Sequence, residues 1–226
     1  MRRILSLAVV TCIALALSAC GGNSRSAAGL AGDPGSLRIA LDAGHGGIDN
    51  GATGVDTGTP EDTLNLEIVQ HIAKRFMISG ADVLLTRKSD DVDYSGDGGT
   101  KKRRDMNNRA ERIAEQDPGI VVSIHMNKYP NRKLHGAQVF YEKGSKEGEK
   151  LAQCIQDSLN AALGYTKRLA KPGDYFILKA SDCPSVIVEC GFLSNAEEEK
   201  KLLDAGYRKR LAECIYEGIC TYLGSP

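Results

Sequence analysis

The stretch from Leu37 to Gly47, LRIALDAGHGG, constrains the fold more than any other part of this chain. Its first five residues are mostly apolar, which is typical of a buried strand, and the strand then breaks into glycine. Asp42 and His45 lie at this break. Because the ligands of open α/β sheets bind outside the carboxyl ends of the strands, we predict that His45 belongs to a functional site. The open alternative is a glycine-rich turn with an incidental histidine.

Two later strands are predicted to carry polar side chains at their ends in the same way. Residues 119–125, GIVVSIH, form an apolar run that ends in His125, and residues 185–190, SVIVEC, form a second run that Glu189 interrupts. A carboxylate within an apolar β-branched run is costly unless it is paired, bound to a metal or used in chemistry. The alternatives are a core histidine with satisfied hydrogen bonds and a structural buried carboxylate.

A helix is predicted from about residue 60 to residue 79, with Gly80 beyond its end. Its apolar stripe recurs every four residues, at Leu64, Ile68, Ile72 and Phe76. At about 100° per residue, Glu61 projects near the middle of this stripe, whereas Glu67 lies roughly 120° from its centre. Because a carboxylate on a buried face requires a partner, we predict that Glu61 faces a cation at the sheet edge. The alternative is that Glu61 only complements the helix dipole.

These polar side chains are the chemical groups of a hydrolytic metal site. Two imidazoles and a carboxylate, here His45, His125 and Glu61, are the ligand set of catalytic zinc sites, which leave one position for water. The remaining carboxylate, Glu189, suits a general base. Serine hydrolase chemistry is disfavoured because the sequence contains no GxSxG motif.

The composition predicts one globular domain behind an export segment. A chain of 226 residues with 42% hydrophobic side chains can bury one full core, and its formal charge of zero predicts no nucleic-acid partner. Residues 1–20 are predicted to be a targeting segment, because Arg2 and Arg3 precede an apolar core that ends in LSAC. This ending resembles the bacterial lipobox, which implies lipidation of Cys20. An ordinary cleaved signal and an uncleaved anchor are the alternatives.

The rest of the chain is predicted to be a tether at residues 21–36, rich in Gly, Ser and Ala, and a globular domain at residues 37–226. Lipidation of Cys20 would hold the exported protein on the outer face of the cytoplasmic membrane or in the cell envelope. Five cysteines follow Cys20, and their odd number without a pairing pattern argues against a disulfide framework.

Five segments together resemble the successive motifs of the zinc-dependent N-acetylmuramoyl-L-alanine amidases. They are DAGHGG at residues 42–47, Glu61 with Asn65 and Leu66, SIHMN at residues 123–127, GAQ at residues 136–138 and ECGFLSN at residues 189–195. The resemblance implies a single α/β catalytic domain with a central, mostly parallel sheet of about six strands flanked by helices. It implies one zinc ion bound by His45, Glu61 and His125, with Glu189 as the catalytic glutamate. The implied substrate is the amide between N-acetylmuramic acid and L-alanine in peptidoglycan.

Finer features of the sequence refine this resemblance. GAQVFY at residues 136–141 and YFILK at residues 175–179 are similar to the branch that trims spore-cortex peptidoglycan, and DYFIL at residues 174–178 is also predicted to be a short strand. Ala43 and Ala114 stand where the family usually has proline and asparagine, which bears on substrate fit more than on catalysis.

Three further residues are predicted to support the site. We expect Asp42 to accept a hydrogen bond from His45 and so orient its ring, and we expect Arg87 and Asn127 to contact substrate. Three alternatives stay open: a zinc peptidase that acts on another amide, a peptidoglycan-binding lipoprotein without turnover, and an enzyme that needs an activating protein partner.

Overall fold

The computed structural model describes residues 37–164 and 168–224, in which helices cover both faces of a six-stranded sheet. The strands are β1 (Arg38–Ala43), β2 (Asp82–Leu85), β3 (Ile120–Asn127), β4 (Gln138–Glu142), β5 (Lys171–Gly173) and β6 (Ser185–Phe192). The helices are α1 (Glu61–Ile78), α2 (Lys101–Gln116), α3 (Lys146–Leu163), α4 (Ala196–Leu203) and α5 (Ala205–Leu223), and a short 3-10 helix spans Phe176–Lys179.

The strand order is β2-β1-β3-β6-β4-β5. Strands β2, β1, β3 and β6 are mutually parallel, whereas β4 runs antiparallel to β6 and β5 runs parallel to β4. The carboxyl ends of β1, β3 and β6 therefore meet at one edge of the sheet, which is where parallel α/β sheets bind ligands. The predicted α/β domain with about six mostly parallel strands is confirmed.

The two faces of the sheet carry different cores, as the alternation of side chains along each strand requires. Ile39 and Leu41 of β1 belong to the large cluster that includes residues of α1, α3 and α5. Ala40 instead packs with Ile113 of α2 and Val121 of β3. Asp42 shares the α2 side with Ala40, so its carboxylate lies beneath α2 and not beneath α1.

The predicted strand at residues 174–178 is wrong. Residues 176–179 form the 3-10 helix, and β5 is formed by Lys171–Gly173. The tight turn buries Leu178 and leaves Phe176 beneath the Arg103 guanidinium, 5.0 Å from the ring centroid. A short apolar run satisfies either geometry, and periodicity does not separate them at this length.

Two sequence predictions concern thiols and membranes. The five cysteines of the described residues are unpaired, as predicted. Within residues 37–164 and 168–224, no helix combines the length and the apolarity that a bilayer crossing needs. The predicted signal, Cys20 and the tether lie outside the described residues.

Candidate metal centre

Three side chains that can bind a metal lie together at the carboxyl edge of the sheet. His45 lies in the turn after β1, Glu61 is the first residue of α1, and His125 lies near the end of β3. One ligand atom from each of the three lies within 4.8 Å of the others. Among the described residues, this is the one group of three or more His, Cys, Asp or Glu side chains arranged to hold a metal ion.

The Glu61 carboxylate is the centre of this cluster. Its Oε1 atom lies 3.1 Å from Nδ1 of His125 and 3.4 Å from Nε2 of His45. The same carboxylate accepts backbone hydrogen bonds from Met126 at 2.9 Å and from Ala52 at 2.6 Å. Glu61 is 2% exposed, so it lies on the buried face of α1, as its place in the apolar stripe predicted.

Charge interactions within the cluster keep its carboxylate ionised. Burial acts to raise the pKa of Glu61, but the hydrogen bond and charge of His125 and the charge of His45 outweigh it and lower the pKa to about 2. Burial likewise acts to lower the pKa of His125, yet Glu61 and Glu189 raise it above its ordinary value. The site therefore holds an ionised carboxylate between two imidazoles, which is the donor set that zinc prefers.

The His45 ring is oriented by Asp49 and not by Asp42. Nδ1 of His45 lies 2.8 Å from an Asp49 oxygen, which directs Nε2 towards Glu61. Lys102 of α2 contacts the same Asp49 oxygen at 2.8 Å. Burial acts to raise the pKa of Asp49, but hydrogen bonds to Lys102 and His45 hold it below the ordinary value.

The predicted role of Asp42 is therefore wrong. Asp42 accepts hydrogen bonds from Thr86 and Ser123 and pairs with Arg109 beneath α2. The reason is geometric: Asp42 still belongs to β1, where side chains alternate between the two faces, and its face of the sheet is the one that α2 covers.

Glu189 lies beside the cluster and has an unusual environment. It is the register partner of His125 on β3 and of Gln138 on β4. Its Oε2 atom is buried and has no hydrogen-bond partner among the described residues. Burial, together with the charge of Glu61, raises the pKa of Glu189 to about 7 despite the opposing charge of His125. Such a carboxyl group can both accept and release a proton near neutral pH.

Two glycines leave room for these rings. A Cβ at Gly44 would lie 2.2 Å from the His125 ring, and a Cβ at Gly51, whose φ is +67°, would lie 2.6 Å from the Glu61 carboxylate. Gly44 of the motif is thus required by close approach, and Gly51 in the loop after it by both close approach and backbone conformation.

The position of Arg87 contradicts its predicted contact with substrate. It is 5% exposed, and its guanidinium donates to the backbone oxygens of Ala43, Gly44, Asp62 and Ser89. Asn127 is partly exposed and takes its place in β3, where its backbone oxygen accepts from Leu193. A role for Asn127 in substrate contact stays a prediction.

Sequence reasoning missed Asp49 and Arg109. Arg109 is buried and donates to the backbone oxygens of Ala43 and His45. A signal for it exists, because Asp105, Arg109 and Ile113 are spaced four apart and are the buried residues of α2. For Asp49, the signal is a lone carboxylate four residues after His45 in the glycine-rich turn.

Comparison with known proteins identifies the family. The family model for N-acetylmuramoyl-L-alanine amidase matches residues 39–221. The germination-specific N-acetylmuramoyl-L-alanine amidase of Bacillus subtilis is 37% identical over 189 residues, which cover 81% of this chain and 78% of that protein.

Solved structures give the same result. The CwlD amidase of Clostridioides difficile, determined in complex with the GerS lipoprotein, is 40% identical with a TM-score of 0.80 and covers 83% of this chain and 98% of that one. An N-acetylmuramoyl-L-alanine amidase of Clostridium difficile 630 is 28% identical with a TM-score of 0.73, and the match covers 84% of this chain and 97% of that one. The resemblance inferred from the sequence motifs is confirmed, and the chain belongs to the N-acetylmuramoyl-L-alanine amidases, the hydrolases that cleave the amide between N-acetylmuramic acid and L-alanine in peptidoglycan.

Proposed function

We propose that His45, Glu61 and His125 hold one zinc ion per chain and that hydrolysis depends on it. The donor set supports this proposal, because two imidazoles and one carboxylate are typical ligands of catalytic zinc. The pKa values of the cluster agree, since an ionised buried carboxylate attracts a cation. Bound zinc supplies polarisation of the amide carbonyl and acidification of a water molecule.

We assign the role of general base to Glu189. The observation that carries this assignment is its buried Oε2, which has no hydrogen-bond partner among the described residues and therefore has lone pairs left to accept a proton from water. Glu189 takes one proton as water adds to the lactyl carbonyl carbon of N-acetylmuramic acid. It then returns this proton to the nitrogen of L-alanine as the C–N bond breaks. The products are a carboxyl group on the sugar and a free amine on the stem peptide.

The substrate proposed is spore-cortex peptidoglycan. The germination-specific amidase of Bacillus subtilis supports this branch, since it is matched over 81% of the present chain. We also propose that Asn127, partly exposed on β3 beside the cluster, contacts the substrate.

Peptidoglycan lies outside the cytoplasmic membrane, so the enzyme acts there. We propose that the segment 1–20 directs export and that a lipid on Cys20 anchors the domain through residues 21–36. An activating protein partner is also proposed, because the CwlD amidase of Clostridioides difficile was solved in complex with the GerS lipoprotein.

The decisive experiment combines metal analysis with product analysis. Purified protein is expected to contain one zinc ion per chain, and His45→Ala and His125→Ala variants are expected to lose it. Digestion of peptidoglycan is expected to yield new N-terminal alanine without new reducing sugar. Cleavage inside the stem peptide would instead establish a peptidase. Zinc-loaded protein that binds muropeptides but does not hydrolyse them, with or without cell extract, would establish a peptidoglycan-binding protein without turnover.

A further inference from the structure

The turn that carries His45 has an unusual backbone. His45 adopts φ +62°, one of two left-handed non-glycine residues among those described. The carbonyl groups of the three consecutive residues Ala43, Gly44 and His45 all accept hydrogen bonds from buried side chains. A left-handed conformation costs a non-glycine residue about 1–3 kcal/mol, which the surrounding contacts must offset.

Arg87 supplies one half of this support. Its Nε donates to the oxygen of Ala43 at 2.9 Å, and its Nη2 donates to the oxygens of Gly44 at 3.2 Å and Asp62 at 2.6 Å. Because Asp62 is in the first turn of α1, a single guanidinium ties the turn to the helix that begins with Glu61. The two ligands are thus held relative to each other by one buried side chain.

Arg109 of α2 supplies the other half. Its two Nη atoms donate to the oxygens of Ala43 and His45, and its Nε donates to Asp105 at 2.7 Å. It also pairs with Asp42 at 3.2 Å. A planar guanidinium with donors in a fixed fork can hold two carbonyl oxygens at once, which a lysine ammonium cannot do with the same geometry.

Two buried cations beneath a cation site need a reason, because their charge opposes metal binding. The carboxylates of Asp42 and Asp105 contact Arg109 and offset its charge. The two arginines therefore have a geometric function, because their N–H groups donate to the carbonyl oxygens of the turn.

We infer that Arg87 and Arg109 are positioning residues that set the His45 turn before metal binds. This inference rests on the proposed zinc site and adds residues that do not themselves contact metal or substrate. The two guanidiniums fix three successive carbonyls, and the His45 ring is thereby presented towards Glu61. The closing of the turn by the paired backbone hydrogen bonds between Gly46 and Asp49, at 2.9 and 3.0 Å, depends on this support.

The test uses Arg87→Lys and Arg109→Lys, which keep the charge and remove the fork. The matched control is Arg208→Lys, because Arg208 is also buried and donates to a carbonyl, that of Leu202, and to the Glu67 carboxylate. Zinc affinity is measured by competition with a chelator. Amide hydrogen exchange at Gly46 and Asp49 is measured on metal-free protein.

Both test variants are expected to weaken zinc binding about 10- to 100-fold and to accelerate exchange at Gly46 and Asp49, whereas Arg208→Lys changes neither. Folded Arg87→Lys protein with the zinc affinity and exchange rates of the control would overturn the inference, and this variant decides the matter if Arg109→Lys does not fold. If the wild type binds no zinc, the proposed metal site fails. The exchange rates then still decide whether the arginines hold the turn.

Discussion

Replacing Glu189 by glutamine should stabilise the metal-free protein at alkaline pH. The pKa of Glu189 is raised from 4.5 to about 7 in the folded chain, so ionisation costs the fold up to about 3 kcal/mol relative to the unfolded state. Because the residue is partly exposed, we expect about 1–3 kcal/mol. Glutamine has the same shape and no charge, so it removes this cost.

The sign of the pH dependence follows from the raised pKa. Below the unfolded-state pKa near 4.5, Glu189 is neutral in both the folded and the unfolded chain, and the fold bears no cost of burying a charge. As pH rises through about 7, the folded chain must ionise Glu189, and the free energy of unfolding falls. Glu189→Gln should therefore resemble the wild type at about pH 5 and exceed it at about pH 9.

The assay is urea unfolding in the presence of a chelator at both pH values. Glu198→Gln is the matched control, because the buried Glu198 carboxylate accepts hydrogen bonds from the backbone amides of Gly136 and Phe192. This control should lose stability at both pH values, since its hydrogen bonds weaken. A Glu189→Gln protein no more stable than the wild type at about pH 9, with an unchanged denaturant slope, would refute the reasoning. Zinc-loaded Glu189→Gln protein should also lose about 100- to 10,000-fold in hydrolysis rate.

Other predictions follow from single contacts. Gly51→Ala should abolish tight zinc binding because its Cβ would lie 2.6 Å from the central carboxylate of the cluster, whereas Gly58→Ala, with φ +71° and no atom within 4 Å, should bind zinc normally in the same chelator titration. Asp42→Asn should lower the free energy of unfolding by about 1.5–3 kcal/mol in urea melts, because it removes one charged partner of the buried Arg109 while Asp105 remains as the other. Since Arg109 and two hydroxyl hydrogen bonds lower the pKa of Asp42 despite its burial, the stability that it contributes should decline as pH falls below about 4. A reductant should leave the thermal midpoint unchanged because the described cysteines are unpaired, and Cys190, whose thiol pKa is raised by burial, should resist alkylation until the protein unfolds.

The sequence predicted Glu61, His125 and Glu189 because each of them breaks a local apolar pattern. Glu61 interrupts an apolar helical stripe, and His125 and Glu189 occur within apolar strands. Burying such a side chain costs free energy unless a partner or a metal ion compensates it. A polar residue in an apolar pattern therefore indicates a site. The parallel order of the strands then brings the anomalies to one edge of the sheet.

The supports of the cluster could not be predicted in the same way. Arg87 and Arg109 bind backbone carbonyls, and the sequence does not state which carbonyls a turn directs inward. The role predicted for Asp42 is wrong because the direction of a side chain at the end of a strand depends on where the strand stops, and Asp42 still belongs to β1. The strand predicted at residues 174–178 failed because five residues are too few to separate strand from 3-10 helix.

The polarity of the sheet has a consequence for how this enzyme meets its polymer. Arg38, at the start of β1, pairs with Asp82 at the start of β2, a few residues beyond the last turn of α1. Glu61 lies at the opposite end of that helix, about 27 Å away for 18 residues. Any attachment made upstream of Leu37 therefore joins the domain at the end of the sheet opposite to the metal ligands.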